Sequence, residues 1–265
     1  MKHELTTQTF STLLTLLDTC AHPVVNAIVE GNSPGRIFVD ARDNPQSAFI
    51  LTNCGYSYLA GKADNAAFNA SLSTLLAESL LSEIAHSEDP TLILYPLSPG
   101  WDDKISVLIK NHTPIKLYRR TFTFDPAKFA ALIEHCTPPK GFELCALTQS
   151  LLNKNTGDAF TWISPAYFLE HGIGFYLLDG DTVASKCHSV FIGAGMIEIG
   201  VNTAEAYRRR GLATITASAL IEHGLERGVT PNWECWWDNE ASAALAQKLG
   251  FEHKEDHPVY YLELK

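Results

Sequence analysis

The sequence is poor in the features that mark several common protein classes. No two of its six cysteines, at positions 20, 54, 136, 145, 187 and 235, stand as Cys-x-x-Cys, so a zinc site of the usual spacing is absent. Scattered, mostly apolar-flanked cysteines suit a reducing cytoplasm. No apolar run approaches the roughly 18 residues of a membrane span. The apolar patch Leu13–Leu17 ends at Asp18, without the charged, apolar and small-residue layout of a secretory leader. Basic charge is also short. Twenty Lys and Arg face thirty Asp and Glu, for a formal charge of −10, and no basic run exists beyond Arg208–Arg210. This argues against nucleic-acid binding, which depends on phosphate neutralisation. An acidic surface favours a cationic amine instead. No internal repeat or low-complexity tract stands out.

What remains is ordinary globular material: 265 residues, 46% hydrophobic and 19% charged, comfortable for two domains. One stretch carries a specific chemistry. Ile197, Ile199 and Val201 alternate with Glu198 and Gly200, as in a half-buried strand. A polar turn follows, and Arg208-x-x-Gly211-x-Ala213 then opens a helix-periodic run. Strand, basic glycine turn and helix start together suit phosphate. The first N–H groups of a helix lack intrahelical partners, and its dipole adds about 0.3–1 kcal/mol per nearby anion. Gly211 and Ala213 leave room, and the three arginines supply charged donors.

This segment resembles the cofactor motif of the GNAT superfamily of N-acetyltransferases, Arg/Gln-x-x-Gly-x-Gly/Ala, here met by Arg208, Gly211 and Ala213. A second block, Asn239-x-x-Ser242-x-x-Leu245-x-x-Lys248-x-Gly250-Phe251, follows at the usual distance, and the resemblance covers about residue 144 to the C-terminus. Trp162-x-Ser164, Gly172-x-Gly174-Phe175 and Pro231-x-Trp233-x-Cys235 are similar to a two-domain bacterial branch that includes zwittermicin-resistance-type acetyltransferases. The resemblance implies direct transfer of acetyl from acetyl-CoA, as co-substrate, to a primary amine. A small-molecule acceptor, no membrane or nucleic-acid partner and a possible homodimer complete that expectation. Two rivals stay open: a catalytically silent acyl-CoA-binding or sensor module, and a protein or peptide N-acetyltransferase.

The expected class is α/β (α+β): a mixed, mostly antiparallel GNAT-like sheet with a splayed parallel strand pair. Residues 126–265 would form the acetyltransferase domain. Residues 1–125 would form an N-terminal α/β domain, either a degenerate GNAT copy or a lid or dimerisation domain of another fold. There the pattern predicts a helix over 5–20, strands around Val24–Val29, Arg36–Asp40, Ala48–Thr52, Tyr56–Ala60 and Leu92–Tyr95, and helices over 66–86 and 101–110. A strand over Lys116–Phe124 and a helix Pro126–His135 follow. The second half reads as a meander (Phe175–Leu178, Thr182–Ser189, Gly195–Val201), a helix over 212–227, a strand Asn232–Cys235, a helix over 240–249 and a strand Val259–Leu264.

Glu198, on the strand entering the loop, is the candidate base, with Glu234 on the next strand as its competitor; paired carboxylates raise one proton affinity. The cofactor residues implied by the motif are Val201 and Thr203 through their backbones, Arg208, Arg209, Gly211, Leu212, Ala213 and Thr214 at the pyrophosphate, and Asn239 and Ser242 on the next helix. Arg210 is either a further phosphate donor or a solvated helix-end charge. The tyrosine with which many relatives protonate the leaving thiolate is replaced by Ala246, leaving Tyr207, Tyr260 and Tyr261 as substitutes. Cys235 as a nucleophile and His253-x-x-x-His257 as a metal pair are weak readings, and no metal site is expected. Trp233, Trp236 and Trp237 would either wall an acceptor pocket or fill the core.

Overall fold

Strand alternation and helical stripes fold the chain into two units, Met1–Tyr118 with Pro258–Lys265, and Arg119–His257. The sequence places a boundary after residue 125, whereas this division falls at Tyr118/Arg119 and returns Pro258–Lys265 to the first unit. In the computed structural model the described residues are 3–17, 21–133 and 136–264. Cys20 and the expected helix end at His135 lie outside them. No helix among the described residues is long and apolar enough to cross a membrane.

The first unit is built on strands Gly35–Val39, Ser47–Thr52 and Tyr56–Gly61, an antiparallel meander. A continuous helical stretch from Ala66 to Ala85, with a π-helical turn at Leu76–Leu80, buries Phe68, Leu72, Leu76 and Leu80 completely. Strand Thr91–Pro96 returns parallel to Tyr56–Gly61, and Tyr260–Glu263 pair antiparallel on its other edge. The parallel pair stays closed beyond its ladder. The Leu97 N–H donates to the Leu59 carbonyl (2.8 Å), the Gly61 N–H to Ser98 Oγ (2.9 Å) and the Trp101 indole N–H to the Gly61 carbonyl (3.1 Å).

The second unit repeats that element order. Strands Gly174–Asp179, Thr182–Gly193 and Met196–Thr203 form a meander, with Phe142–Ala146 on the outer edge. Helix Leu212–Glu226 packs on the Ile197 and Ile199 face, which leaves Glu198 and Gly200 on the other. Gly224 permits the close approach, since a Cβ there would stand 2.6 Å from Ile197 Cδ1. Strand Thr230–Asn232 then pairs parallel with Met196–Thr203, but only from Met196↔Thr230 to Glu198↔Asn232. After Trp233 the chain joins a different ladder, in which Glu234–Trp236 run antiparallel to Arg119–Thr121. The two parallel strands therefore part at Glu198 and Asn232.

Two local expectations are corrected. Val24–Val29 is helical, not extended: Pro23 sits in the first turn, His22 accepts from the Val24 N–H (3.3 Å), and the β-branched side chains are buried. Tertiary burial overrides strand propensity there. The single strand expected over Asn232–Cys235 is two strands, interrupted where the Trp233 indole turns into the core. Helix Leu212–Glu226 and helix Glu240–Lys248 lie where periodicity puts them.

Gly250, before strand Phe251–Glu263, has φ +86°, and a Cβ there would meet Phe129 N at 2.8 Å and Asp125 O at 2.9 Å. Gly211 has φ +77° with nothing within 4 Å of a Cβ. Gly250→Ala should therefore cost about 2–4 kcal/mol, and Gly211→Ala about 1–2 kcal/mol from the left-handed backbone alone. Urea denaturation of both variants checks the difference; equal costs would show that the backbone at Asp125–Phe129 yields.

Candidate functional site

The loop after Met196–Thr203 is shaped by its backbone. Arg209 (φ +62°) and Gly211 (φ +77°) both adopt the left-handed conformation just before the helix begins at Leu212. For Arg209 that costs strain, since side-chain-bearing residues rarely sit there. No side chain caps the helix, so its first N–H groups open onto the loop. Arg208 Nε donates to the Thr203 carbonyl (3.3 Å), tying the loop back to the strand end. Arg210 is exposed, and its guanidinium lies 5.0 Å from the Phe142 ring centroid and 5.5 Å from that of Tyr207.

A cavity of about 470 Å³ opens at this loop. Its walls gather all ten residues expected from the two motifs: Val201, Thr203, Arg208, Arg209, Gly211, Leu212, Ala213 and Thr214 on one side, Asn239 and Ser242 on the other. Asn202, Tyr207, Ala241 and Leu245 complete the lining. Ala241, Ser242 and Leu245 share a helix face, a spacing that could have flagged the two apolar members. Asn239 caps helix Glu240–Lys248, accepting from the Ser242 N–H (3.1 Å). The Ser242 hydroxyl accepts from the Trp233 indole (3.1 Å), so it also anchors the core.

The two candidate carboxylates lie outside that lining, at the point where the strands part. Asn232 Nδ2 donates to Glu198 Oε2 (2.5 Å). Desolvation, reinforced by the nearby Glu234 carboxylate, pushes the Glu198 carboxyl up to about 8; the Asn232 hydrogen bond and Arg119 pull the other way. Glu234 Oε2 lies 3.8 Å from Arg119 Nε, and the Arg119 guanidinium stacks 5.0 Å from the Trp236 ring centroid. Sequence spacing marked neither Asn232 nor Arg119, because each meets Glu198 or Glu234 only through strand register. Between Glu198 and Ile199 the pairing with Thr182–Gly193 slips by one residue, a bulge beside the carboxylate.

The other candidates sort by position. Ala246 is fully buried, while its neighbour Leu245 faces the cavity. Tyr207 is the substitute tyrosine in the lining, and its hydroxyl donates to Asp179 (3.0 Å). Tyr260 and Tyr261 belong to the first unit, where the Tyr260 hydroxyl donates to Asp102 (2.6 Å). Cys235 is buried, and desolvation pushes its thiol up, against a nucleophilic role. His253 and His257 lie on a strand, with His253 Nε2 at 3.0 Å from Asp256 Oδ1. Trp233 is buried and Trp237 is exposed.

Comparison with known proteins agrees with this architecture. The chain is 30% identical over 264 residues to the uncharacterized N-acetyltransferase YdfB of Bacillus subtilis (strain 168), covering 97% of each. It superposes on a GCN5-related N-acetyltransferase-like protein from Streptococcus suis 89/1591 with a TM-score of 0.71 at 25% identity, over 96% of this chain and 98% of that one. A tandem GNAT protein from the clavulanic acid biosynthesis pathway shares the fold, with a TM-score of 0.67 at 13% identity over 100% of this chain and 98% of that one. The model of the GNAT acetyltransferase family matches residues 14–260, so the chain belongs to that family and is an acyltransferase.

Proposed function

We propose that the second unit binds acetyl-CoA in the cavity at Gly211 and transfers its acetyl group to a primary amine of a small molecule by direct attack. The observation that carries this reading is the convergence of the uncapped helix start, the left-handed backbone at Arg209 and Gly211 and the ten motif residues on one cavity. The donor set fits a pyrophosphate: Arg208 and Arg209 supply charge, and the first-turn N–H groups supply aligned donors. Beyond Glu198 the free edge of Met196–Thr203 has no strand partner among the described residues, which suits Val201 and Thr203 to backbone bonds with an extended arm. Acetyl-CoA, when bound, supplies the activated thioester carbonyl.

Glu198 is the base in this reading. Ionised, it accepts a proton from the incoming ammonium at its free oxygen, so that a neutral amine can attack. A base whose proton affinity lies near neutral pH is efficient in this role. The acidic net charge of the chain and the two carboxylates favour a cationic acceptor.

The first unit is proposed to be a GNAT-like copy that has lost the cofactor site. Its meander, helix and parallel strand recur in order, but the bonds of Leu97, Ser98 and Trp101 keep its strand pair closed. It also carries no arginine-glycine loop at the start of its helix.

Calorimetric titration with acetyl-CoA should give one site per chain, and thermal stability should rise with acetyl-CoA but not with ATP or NAD. Gly211→Glu should abolish both effects while the protein still melts cooperatively; unchanged affinity would remove the phosphate-loop reading.

Glu198→Gln should lower thiol release from acetyl-CoA, measured over a set of diamines, polyamines and aminosugars, by about 10²–10⁴-fold with little change in acetyl-CoA affinity. In the wild type, kcat/KM should climb as pH rises towards about 8, because Glu198 must lose its proton to act. Binding without turnover for every amine would favour a silent acyl-CoA-binding module.

A further inference from the structure

We propose that Asn232 is a positioning residue for the reaction: its side-chain amide fixes one oxygen of Glu198 and leaves the other to face the acceptor amine. The inference rests on the reading of Glu198 as base and goes beyond it to a residue that neither motif contains. Three observations carry it. Asn232 is the direct register partner of Glu198 in the parallel ladder. Its Nδ2 donates to Glu198 Oε2 at 2.5 Å. It is also the last paired residue before the strands part, so the clamp sits at the inner end of the opening.

A carboxylate side chain on a strand edge samples several rotamers, and a base must present its lone pair in one direction. An amide donor of fixed register removes that freedom at small cost, since Asn232 is itself held by the backbone of Thr230–Asn232. Because a carboxylate only accepts, an N–H donor on one oxygen favours the ionised form and selects the competent state. The charged groups around Glu198 act against one another. Glu234, two residues beyond Asn232, opposes ionisation, and Arg119, on the neighbouring strand, supports it. On strand Thr182–Gly193, His188 packs against Gly200, on the same sheet face as Glu198. Its ring is desolvated and resists protonation, so it adds little charge there.

The test is ¹³C-carboxyl NMR titration of the full chain, with the Glu198 resonance assigned by its loss in Glu198→Gln. In Asn232→Ala the Glu198 midpoint should move up by roughly one pH unit, the worth of a hydrogen bond to a charged group. Asn232→Asp, which keeps the shape and replaces the donor by a carboxylate, should move it up further. Glu234→Gln should move it down. With the best amine of the set above, both Asn232 variants should lose at least about tenfold in kcat while acetyl-CoA affinity holds. Unmoved midpoints in both Asn232 variants would overturn the clamp, and moved midpoints with unchanged kcat would overturn its positioning role. Full turnover in Glu198→Gln would instead overturn the base reading itself, and the NMR midpoints would still report on the clamp separately.

Discussion

The second unit depends on where one pair of parallel strands stops pairing. Met196–Thr203 and Thr230–Asn232 share three register pairs and then separate at Glu198 and Asn232. The cause is local. Trp233 buries its indole and donates to Ser242, which turns the chain away from the first ladder and towards Arg119–Thr121. The same bond fixes the start of helix Glu240–Lys248, and therefore the far wall of the cavity. The turn at Trp233 thus links the sheet opening, the placement of Glu234 and the far wall of the cavity. The first unit shows the alternative. There the equivalent strands stay bonded through Leu97 and Leu59, and Trp101 donates to the Gly61 carbonyl beside them.

The loop stores strain for a comparable reason. Two residues before the helix, Arg209 and Gly211, take left-handed backbone angles, and the helix start has no side-chain cap. Each of these lowers stability on its own: a glycine N-cap forgoes only a few tenths of a kcal/mol relative to a capping side chain, and a left-handed arginine costs about 1–3 kcal/mol. Both fall where the loop lines the cavity. Arg208, bonded to the Thr203 carbonyl, and Arg210, stacked on Phe142 and Tyr207, hold the loop in that shape. The basic triplet thus divides into an anchor to the strand, a strained exposed member and an anchor to the aromatic rings.

What the sequence made legible was local. Arg208-x-x-Gly211-x-Ala213 and Asn239-x-x-Ser242 are contiguous blocks, and the alternation at Ile197–Val201 marks which face holds Glu198, so these positions could be named without a fold. Asn232 and Arg119 could not, because their meaning arises from register between strands far apart in sequence. Val24–Val29 misled because a β-branched run reads as a strand, while Pro23 and a buried environment favour a helix. The recurrence of meander, helix, parallel strand and helix in both units was invisible as a repeat, since it is conserved in the order of elements and not in side chains.

The two carboxylates at the opening are not equivalent, and their surroundings divide the labour. Glu234 lies beside Arg119, whose guanidinium is itself pinned over Trp236. Glu198 is desolvated and faces a neighbouring negative charge, which make it reluctant to ionise, while the Asn232 amide donor favours its ionised form. A carboxyl brought near neutral pH is suited to exchange protons, and the charges beside it set the field in which it does so. That argues for Glu198 as base, and it makes Arg119 part of the same device: without that cation the field of Glu234 would act on Glu198 unopposed by any positive charge, and Glu198 would be still harder to ionise.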